Sequence, residues 1–332
     1  MTSTTSLHPF HTPIFHTQTW GGESPLYRDS DNTLHWVDPL SVPPELHILS
    51  LSPSSSSKVP TEKVLALETP VSVIRFCKEK QYEGKYICGY LKGVGILDEK
   101  SGKLEKIKEI IDGDERRVND GGVDAKGRFW FGEIDLQAMK FGIGGPPESY
   151  GKPKGRVWRY DPDGSLREMD SGIILGNGIG WSPDNKTKVL RCIEVYLNDS
   201  LVQTTYAYDF DPEKGIVSNR RVFANFKGTD GEPDGLVVDA QGNIWIAVYG
   251  SRNYYGLIIF DPLGVKKYQI PSSAKATTCP TFGGKSLDEV FATSARGSDF
   301  VDGGDGGKLF RCKIPEEWGI KGMTSEAFGG TL

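Results

Sequence analysis

One phrase recurs along this chain: turn residues, a short alternating strand, a Gly- or Asp-bearing turn, then an aromatic-rich strand. It reads GESPLYRDSDNTLHWVD from Gly22, NDGGVDAKGRFWFGEID from Asn119 and NGIGWSPDNKTKVL from Asn177. It returns as PDGLVVDAQGNIWIAVYG from Pro233 and PTFGGKSLDEVFATSARG from Pro280. After each copy comes a strand closing on a polar turn, as in GRVWRYDPDG and GLIIFDPLG, where Asp-Pro and Asp-Gly punctuate hairpins. Glu23, Asn119, Asn177 and Asp234 open four units at gaps of 96, 58 and 57 residues. The midpoint of the first gap, near residue 71, falls on ETPVSVIRF. With Pro280 this makes six units of about 45–58 residues, the length of a four-stranded propeller blade. Helical periodicity never persists, and Pro315–Trp318 runs into Gly319 as one turn at most. A doubly wound α/β fold needs amphipathic helices of about 10–15 residues between strands, and none is present. The expectation is an all-β, six-bladed β-propeller over residues 20–332, behind a flexible tail at residues 1–19.

Composition narrows the partners. Net charge is -5, from 39 basic and 44 acidic residues among 332, which argues against nucleic acid or an anionic membrane surface. The first twenty residues lack the basic and apolar regions of a signal peptide, and no run of about 18 apolar residues occurs. Five cysteines without C-x-x-C spacing fit reduced thiols, so the expected location is cytoplasmic. All five histidines (His8, His11, His16, His35, His47) precede residue 48, so the remaining 285 residues cannot assemble a Ser-His-Asp or Cys-His centre. His8, His11 and His16 sit in a Thr- and Pro-rich segment without a companion carboxylate and read as a solvated tail.

In a propeller, the innermost strand of every blade runs along the central channel, so equivalent starting positions converge at one mouth. Here those positions hold Glu23, Asn119, Asn177 and Asp234, two carboxylates and two amides. Hard cations such as Ca²⁺ select oxygen sets of this kind, and two carboxylates together are costly without a divalent ion. Asn-Gly, Asp-Gly and Glu-Ser-Pro are also ordinary turn sequences, so a purely structural reading competes. Other features read as structural. Trp36, Trp130, Trp158, Trp181 and Trp245 are expected to pack between blades, Cys279 to be buried, and the Ser-rich run in 48–60 and DGGDGG from Asp302 to be loops. The Gly/Pro-rich stretch 138–155 either overhangs the channel or merely connects two strands, and the long segment 185–200 stays undecided.

Taken in order, GESPLYRDSDNTLHWVD, RVNDGGVDAKGRFWFGEID, NGIGWSPDN, YLNDSLVQTTYAYDFD and EPDGLVVDAQGNIWIAVYG resemble the family of regucalcin (senescence marker protein), gluconolactonases and the luciferin-regenerating enzyme. The resemblance covers about Trp20 to Cys312. It implies a six-bladed propeller with one catalytic divalent metal, typically hydrolysing sugar lactones. By motif, the implied metal ligands are Glu23, Asn177 and Asp234, with Arg117 and Asn119 contacting substrate. Asp234 is the implied general base, since no histidine is at hand. Ca²⁺ is the expected ion, with Zn²⁺, Mn²⁺ or Mg²⁺ as alternatives, and a small-molecule lactone is the expected substrate. For Arg117 the rival role is an ion pair with Asp112, Asp114 or Glu115. Animal members carry an acidic residue after the strand following R-x-N-D that contacts sugar hydroxyls; here Glu133 and Asp135 stand nearby without a clean match. An organophosphate or other ester hydrolase on the same site, or a non-catalytic calcium-binding propeller, are the competing functions.

Overall fold

The repeated phrase VDAxGxxW explains its own geometry. Asp124 accepts hydrogen bonds from the backbone N–H groups of Lys126 and Arg128 and from Trp130 Nε1. Asp239 does the same for Gln241, Asn243 and Trp245 Nε1. One carboxylate thus closes the tight turn and satisfies the indole of the strand behind it, so that Trp130 and Trp245 are wholly buried.

The computed structural model describes residues 13–15, 19–52, 60–183, 193–229, 231–250, 254–296 and 304–329. After the short strand β1 (Pro13–Phe15), the first blade holds β2 (Glu23–Arg28), β3 (Thr33–Asp38), β4 (Glu45–Ser50) and β5 (Thr61–Ala66). The second holds β6 (Val71–Phe76), β7 (Lys85–Tyr90), β8 (Gly93–Asp98) and β9 (Leu104–Glu109). The third holds β10 (Arg116–Val123), β11 (Phe129–Asp135), β12 (Gly155–Tyr160) and β13 (Leu166–Ile173). In the fourth are β14 (Gly176–Trp181), β15 (Ile193–Asp199), β16 (Thr204–Asp211) and β17 (Ile216–Asn225). The fifth comprises β18 (Glu232–Val238), β19 (Ile244–Tyr249), β20 (Gly256–Phe260) and β21 (Lys266–Pro271). The sixth has β22 (Thr277–Gly283), β23 (Glu289–Ser294) and β24 (Leu309–Lys313), and β1 pairs antiparallel with β24 as its fourth strand.

Each blade is an antiparallel meander of four strands, and the six inner strands meet their neighbours around a ring. The architecture is the six-bladed β-propeller expected from the repeat, with the midpoint at residue 71 opening β6. At Pro13–Phe15 the stretch expected as tail is instead an edge strand, because β24 needs a partner to complete its blade. His8, His11 and His16, residues 53–59 of the Ser-rich run, 184–192 of the long fourth-blade segment and Asp302 lie outside the described residues.

Outer strands such as β9 (LEKIKE) carry charges that blunt exposed edges, while inner strands are buried on both faces. Trp36 is buried against the stacked ring of His47, and Trp130 meets Trp181 edge-on across the third and fourth blades. Trp158 and Trp181 are only partly buried. Trp181 also lines a cavity of about 320 Å³ at the far end of the channel, with Ile179, Leu236, Phe282 and Met323. That far mouth is crossed by the C-terminal segment, fastened at Gly322 to Leu287 O and at Phe328 to Phe76 O. Among the described residues, no helix is long and apolar enough to cross a membrane.

Candidate active site

All six inner strands break their pairing with the second strand at the same height. The irregularities fall between Glu23 and Leu26, Val71 and Val73, Val118 and Gly121, Gly176 and Ile179, Pro233 and Leu236, and Thr277 and Pro280. Bulges re-aim side chains and recur beside active sites. Asn119, Asn177 and Asp234 each take the first position inside the bulge. Glu23 stands one residue earlier, which corrects the expectation of a single shared register. The cause is Ser24, whose left-handed backbone (φ 54) fills the bulge position. Its hydroxyl accepts from Ile74 N and donates to Ile74 O in the second blade.

The turn reading of Asn-Gly and Asp-Gly fails for a physical reason. Gly178 and Gly235 are not left-handed; they lie inside strands where neighbouring blades converge. A Cβ on Gly178 would stand 2.3 Å from Leu236 N, and one on Gly235 would stand 2.5 Å from Cys279 Sγ. Glycine is there for close approach of backbones at the hub.

Hydrogen bonds at bulge height tie blade to blade. Ser72 Oγ donates to Asn119 O at 2.6 Å, and Thr278 Oγ1 donates to Gly22 O. Asn119 Nδ2 donates to Asn177 Oδ1 at 2.8 Å and to Gly176 O at 3.1 Å. Asn177 Nδ2 in turn donates to Ser200 Oγ at 2.8 Å, and Ser200 Oγ donates to Pro233 O at 2.7 Å. Because Ser200 spends its proton on Pro233, it must accept from Asn177, and this fixes the Asn177 amide with Oδ1 on the Asn119 side. Asn198 Nδ2 donates to Asp234 O at 2.5 Å, seating the fifth-blade residue. The role of Asn198 and Ser200 was not assigned from sequence, although both stand in the quoted YLNDS stretch.

The electrostatics are those of a crowded acid cluster. Burial raises the Glu23 pKa well above the carboxylate range, and the charges of Asp234 and Asp120 raise it further, against the pull of Arg117. Burial likewise raises Asp234, with Asp120 and Glu232 adding to it. Asp120, which follows Asn119 in the bulge, is raised by burial and held back by Arg75. Desolvation and then the same carboxylates push Tyr249 up to about 12. Asp234 Oδ1 is buried with no hydrogen-bond partner in the protein, as is Arg117 Nε. A buried carboxylate oxygen without a protein partner is costly unless a cation or donor meets it. Among the described residues no three His, Cys, Asp or Glu side chains form a metal cage, so a cation here needs an amide oxygen as third donor. Asn177 Oδ1 is the oriented candidate.

Arg117 does not take its rival role. Asp114 pairs with Lys92 and Glu115 with Lys154, whereas the charge felt by Arg117 is that of Glu23. Glu133 and Asp135 are not free. Glu133 is fully buried and clasped by Arg116, Arg156 and Trp158 Nε1. Asp135 accepts from Gln137 N, Ala138 N, Lys154 N and Tyr150 OH, and so pins the 136–154 loop. That loop carries two 3₁₀ turns, Ala138–Phe141 and Glu148–Tyr150, and Gly144 N donates to Leu201 O of the fourth blade. It therefore overlies the third and fourth blades on the face where Asn119 and Asn177 begin their strands. Cys279 is buried, as expected, with its thiol pKa pushed well up by burial and the neighbouring carboxylates.

The chain belongs to the SMP-30/Gluconolactonase/LRE-like family, whose sequence profile matches residues 21–296. Regucalcin of Xenopus laevis is 28% identical over 323 residues, covering 93% of this chain and 95% of the relative. The crystal structure of a calcium-binding regucalcin from Agrobacterium tumefaciens superposes with a TM-score of 0.77 at 24% identity, covering 95% of this chain and 96% of that one. A gluconolactonase from Xanthomonas campestris superposes with a TM-score of 0.65 at 20% identity, covering 91% and 89%.

Proposed function

We propose that this protein opens the ester ring of a small lactone with the help of one divalent cation, Ca²⁺ being the ion its all-oxygen donor set suits best. Glu23, Asn177 and Asp234 would hold the ion, and the unpartnered Asp234 Oδ1 in a cluster of crowded carboxylates is the observation that carries the reading. When bound, such an ion supplies Lewis acidity at the lactone carbonyl. Arg117, with a buried Nε lacking a partner, donates to the oxygen on which charge develops. Asn119 is held by Asn177 and Gly176 O and orients the ring. The Asp234 carboxylate, whose burial raises its proton affinity, takes the proton of the attacking water. The proton then passes to the departing alkoxide, leaving a hydroxy acid.

The family relationship points to a sugar-acid lactone as the reference substrate. A second reading, a lactone or other ester with fewer hydroxyls, is favoured by the full engagement of Glu133 and Asp135. A non-catalytic ion site is disfavoured, since a structural ion has no use for an arginine beside Glu23 whose buried Nε has no partner. The test is metal analysis of the purified protein, then lactone hydrolysis with and without EDTA. Chelation should abolish turnover and added Ca²⁺ should restore it, with Asp234→Ala folded and inactive. Full activity in that variant overturns the assignment.

A further inference from the structure

The described residues include ten large hydrophobic side chains that are exposed, and half of them, Trp20, Leu40, Val42, Phe141 and Ile143, stand on the loops of the mouth where the candidate site opens. Val42 is 94% exposed and Phe141 52%. They form two apolar groups, Trp20, Leu40 and Val42 beside the first blade and Phe141 and Ile143 on the third-blade loop.

Both apolar groups are built, and each is held by a buried aspartate at the end of a second strand. Asp38, ending β3, accepts from Trp20 N at 2.6 Å, Gly21 N, Leu40 N and Ser41 N. Leu40 packs on Gly21, leaving no room for a Cβ there, and the Arg296 guanidinium lies 4.6 Å from the Trp20 ring. Trp20 is three residues from Glu23. On the other side Asp135, ending β11, pins the loop that presents Phe141 and Ile143, and Tyr150 braces Phe141 edge-on. Gly145 of that loop abuts Ile174, three residues before Asn177.

Resting on the lactonase reading above, we infer that the substrate is a lactone bearing an apolar substituent, whose tail lies against Trp20 and Leu40 or against Phe141 and Ile143 while the ring reaches the hub. Two independent observations agree: Glu133 and Asp135 are consumed by structural partners, and the mouth beside the site presents two exposed apolar groups among its charged loops. Continuity of both patches with the segments carrying Glu23 and Asn177 favours substrate over a separate docking partner.

The experiment compares kcat/KM of the Ca²⁺-loaded protein for γ-butyrolactone, its 4-alkyl derivatives of two to eight carbons, and glucono-δ-lactone. Each methylene should raise kcat/KM by about 2- to 4-fold until the patch is covered, mainly through KM. The double variant Phe141→Ser, Ile143→Ser and, separately, Leu40→Ser with Val42→Ser should leave γ-butyrolactone turnover unchanged, and at least one pair should flatten the chain-length slope. Calorimetric binding of the ring-opened 4-hydroxy acids should follow the same slope. A slope of zero, preference for the glucono-lactone, or a slope retained in both variants overturns the inference while leaving the lactonase reading intact. Zero slope with sedimentation on phosphatidylcholine vesicles would reassign the rim to a lipid surface. No turnover of any lactone would sink both readings together.

Discussion

Asn119 and Asn177, 58 residues apart in the chain, share a 2.8 Å hydrogen bond from Nδ2 to Oδ1 across the third and fourth blades. The bond does two things. It holds the Asn119 amide against the hub, and it declares which end of Asn177 carries the acceptor. Asn177 Nδ2 is already committed to Ser200, so the pair has one consistent orientation.

Replacing Asp234 with Asn separates stability from function. The variant removes one of several mutually repelling buried carboxylates, so it should melt higher than the parent in EDTA, by about 1–2 kcal/mol. It should lose activity by at least about 10³-fold. It should also lose the stabilisation that a hundredfold excess of Ca²⁺ over its Kd confers on the parent, about 2.7 kcal/mol. Thermal unfolding with chelator and with Ca²⁺ reads all of this.

Arg117→Ala should lower kcat by about 10²–10³-fold without changing the melting temperature much, because in the proposed reaction the lost donor serves the transition state. Arg117→Lys keeps the charge but not the planar fork, and should recover less than a tenth of the loss. Steady-state kinetics beside a thermal melt separates the two effects.

Gly178→Ala places a methyl 2.3 Å from the backbone nitrogen of Leu236, which cannot move without the strand. A loss above about 2 kcal/mol is expected, by the overpacking mechanism. Asn177 and Asp234 flank this contact, so Ca²⁺ affinity should fall as well; calorimetry on the folded fraction measures it.

His35 gives the fold an acid limit. Burial, and then the Arg28 charge, pull its pKa down to about 4, while its ring bonds to Thr33 Oγ1 and to Tyr86 OH at 2.7 Å. A lowered histidine pKa means that the unfolded chain binds the proton first. The stability is complete above about pH 6.5 and is lost as pH falls toward 4, on the order of 3 kcal/mol in all. His35→Gln should flatten that part of the curve in urea melts taken between pH 4 and 7.

The blade count was legible because the turn aspartates and tryptophans repeat where their geometry repeats, as at Asp124 with Trp130 and Asp239 with Trp245. The hub positions of Asn177 and Asp234 were legible for the same reason, each followed by a glycine that the crowded hub requires. Register was harder. The one-residue offset of Glu23 depends on a left-handed Ser24, and a Ser-Pro pair does not announce that conformation. The edge strand at Pro13–Phe15 was hidden because its partner, β24, lies almost the whole chain away. The braces Asn198 and Ser200 were invisible as such, since their value comes from the neighbouring blade's carbonyls. Glu133 and Asp135 looked available in the sequence, and only the arginines and backbone donors around them show otherwise.

The seam between β1 and β24 closes the ring with two strands that stand almost the whole described chain apart. Glu23 leads out of that seam, while Asn177 and Asp234 belong to the fourth and fifth blades. Until the circle shuts, the blades carrying Glu23, Asn177 and Asp234 have no fixed spacing, so the proposed site depends on closure of the ring. A truncation that removes Pro13–Phe15 would therefore be felt at the hub, far from the cut.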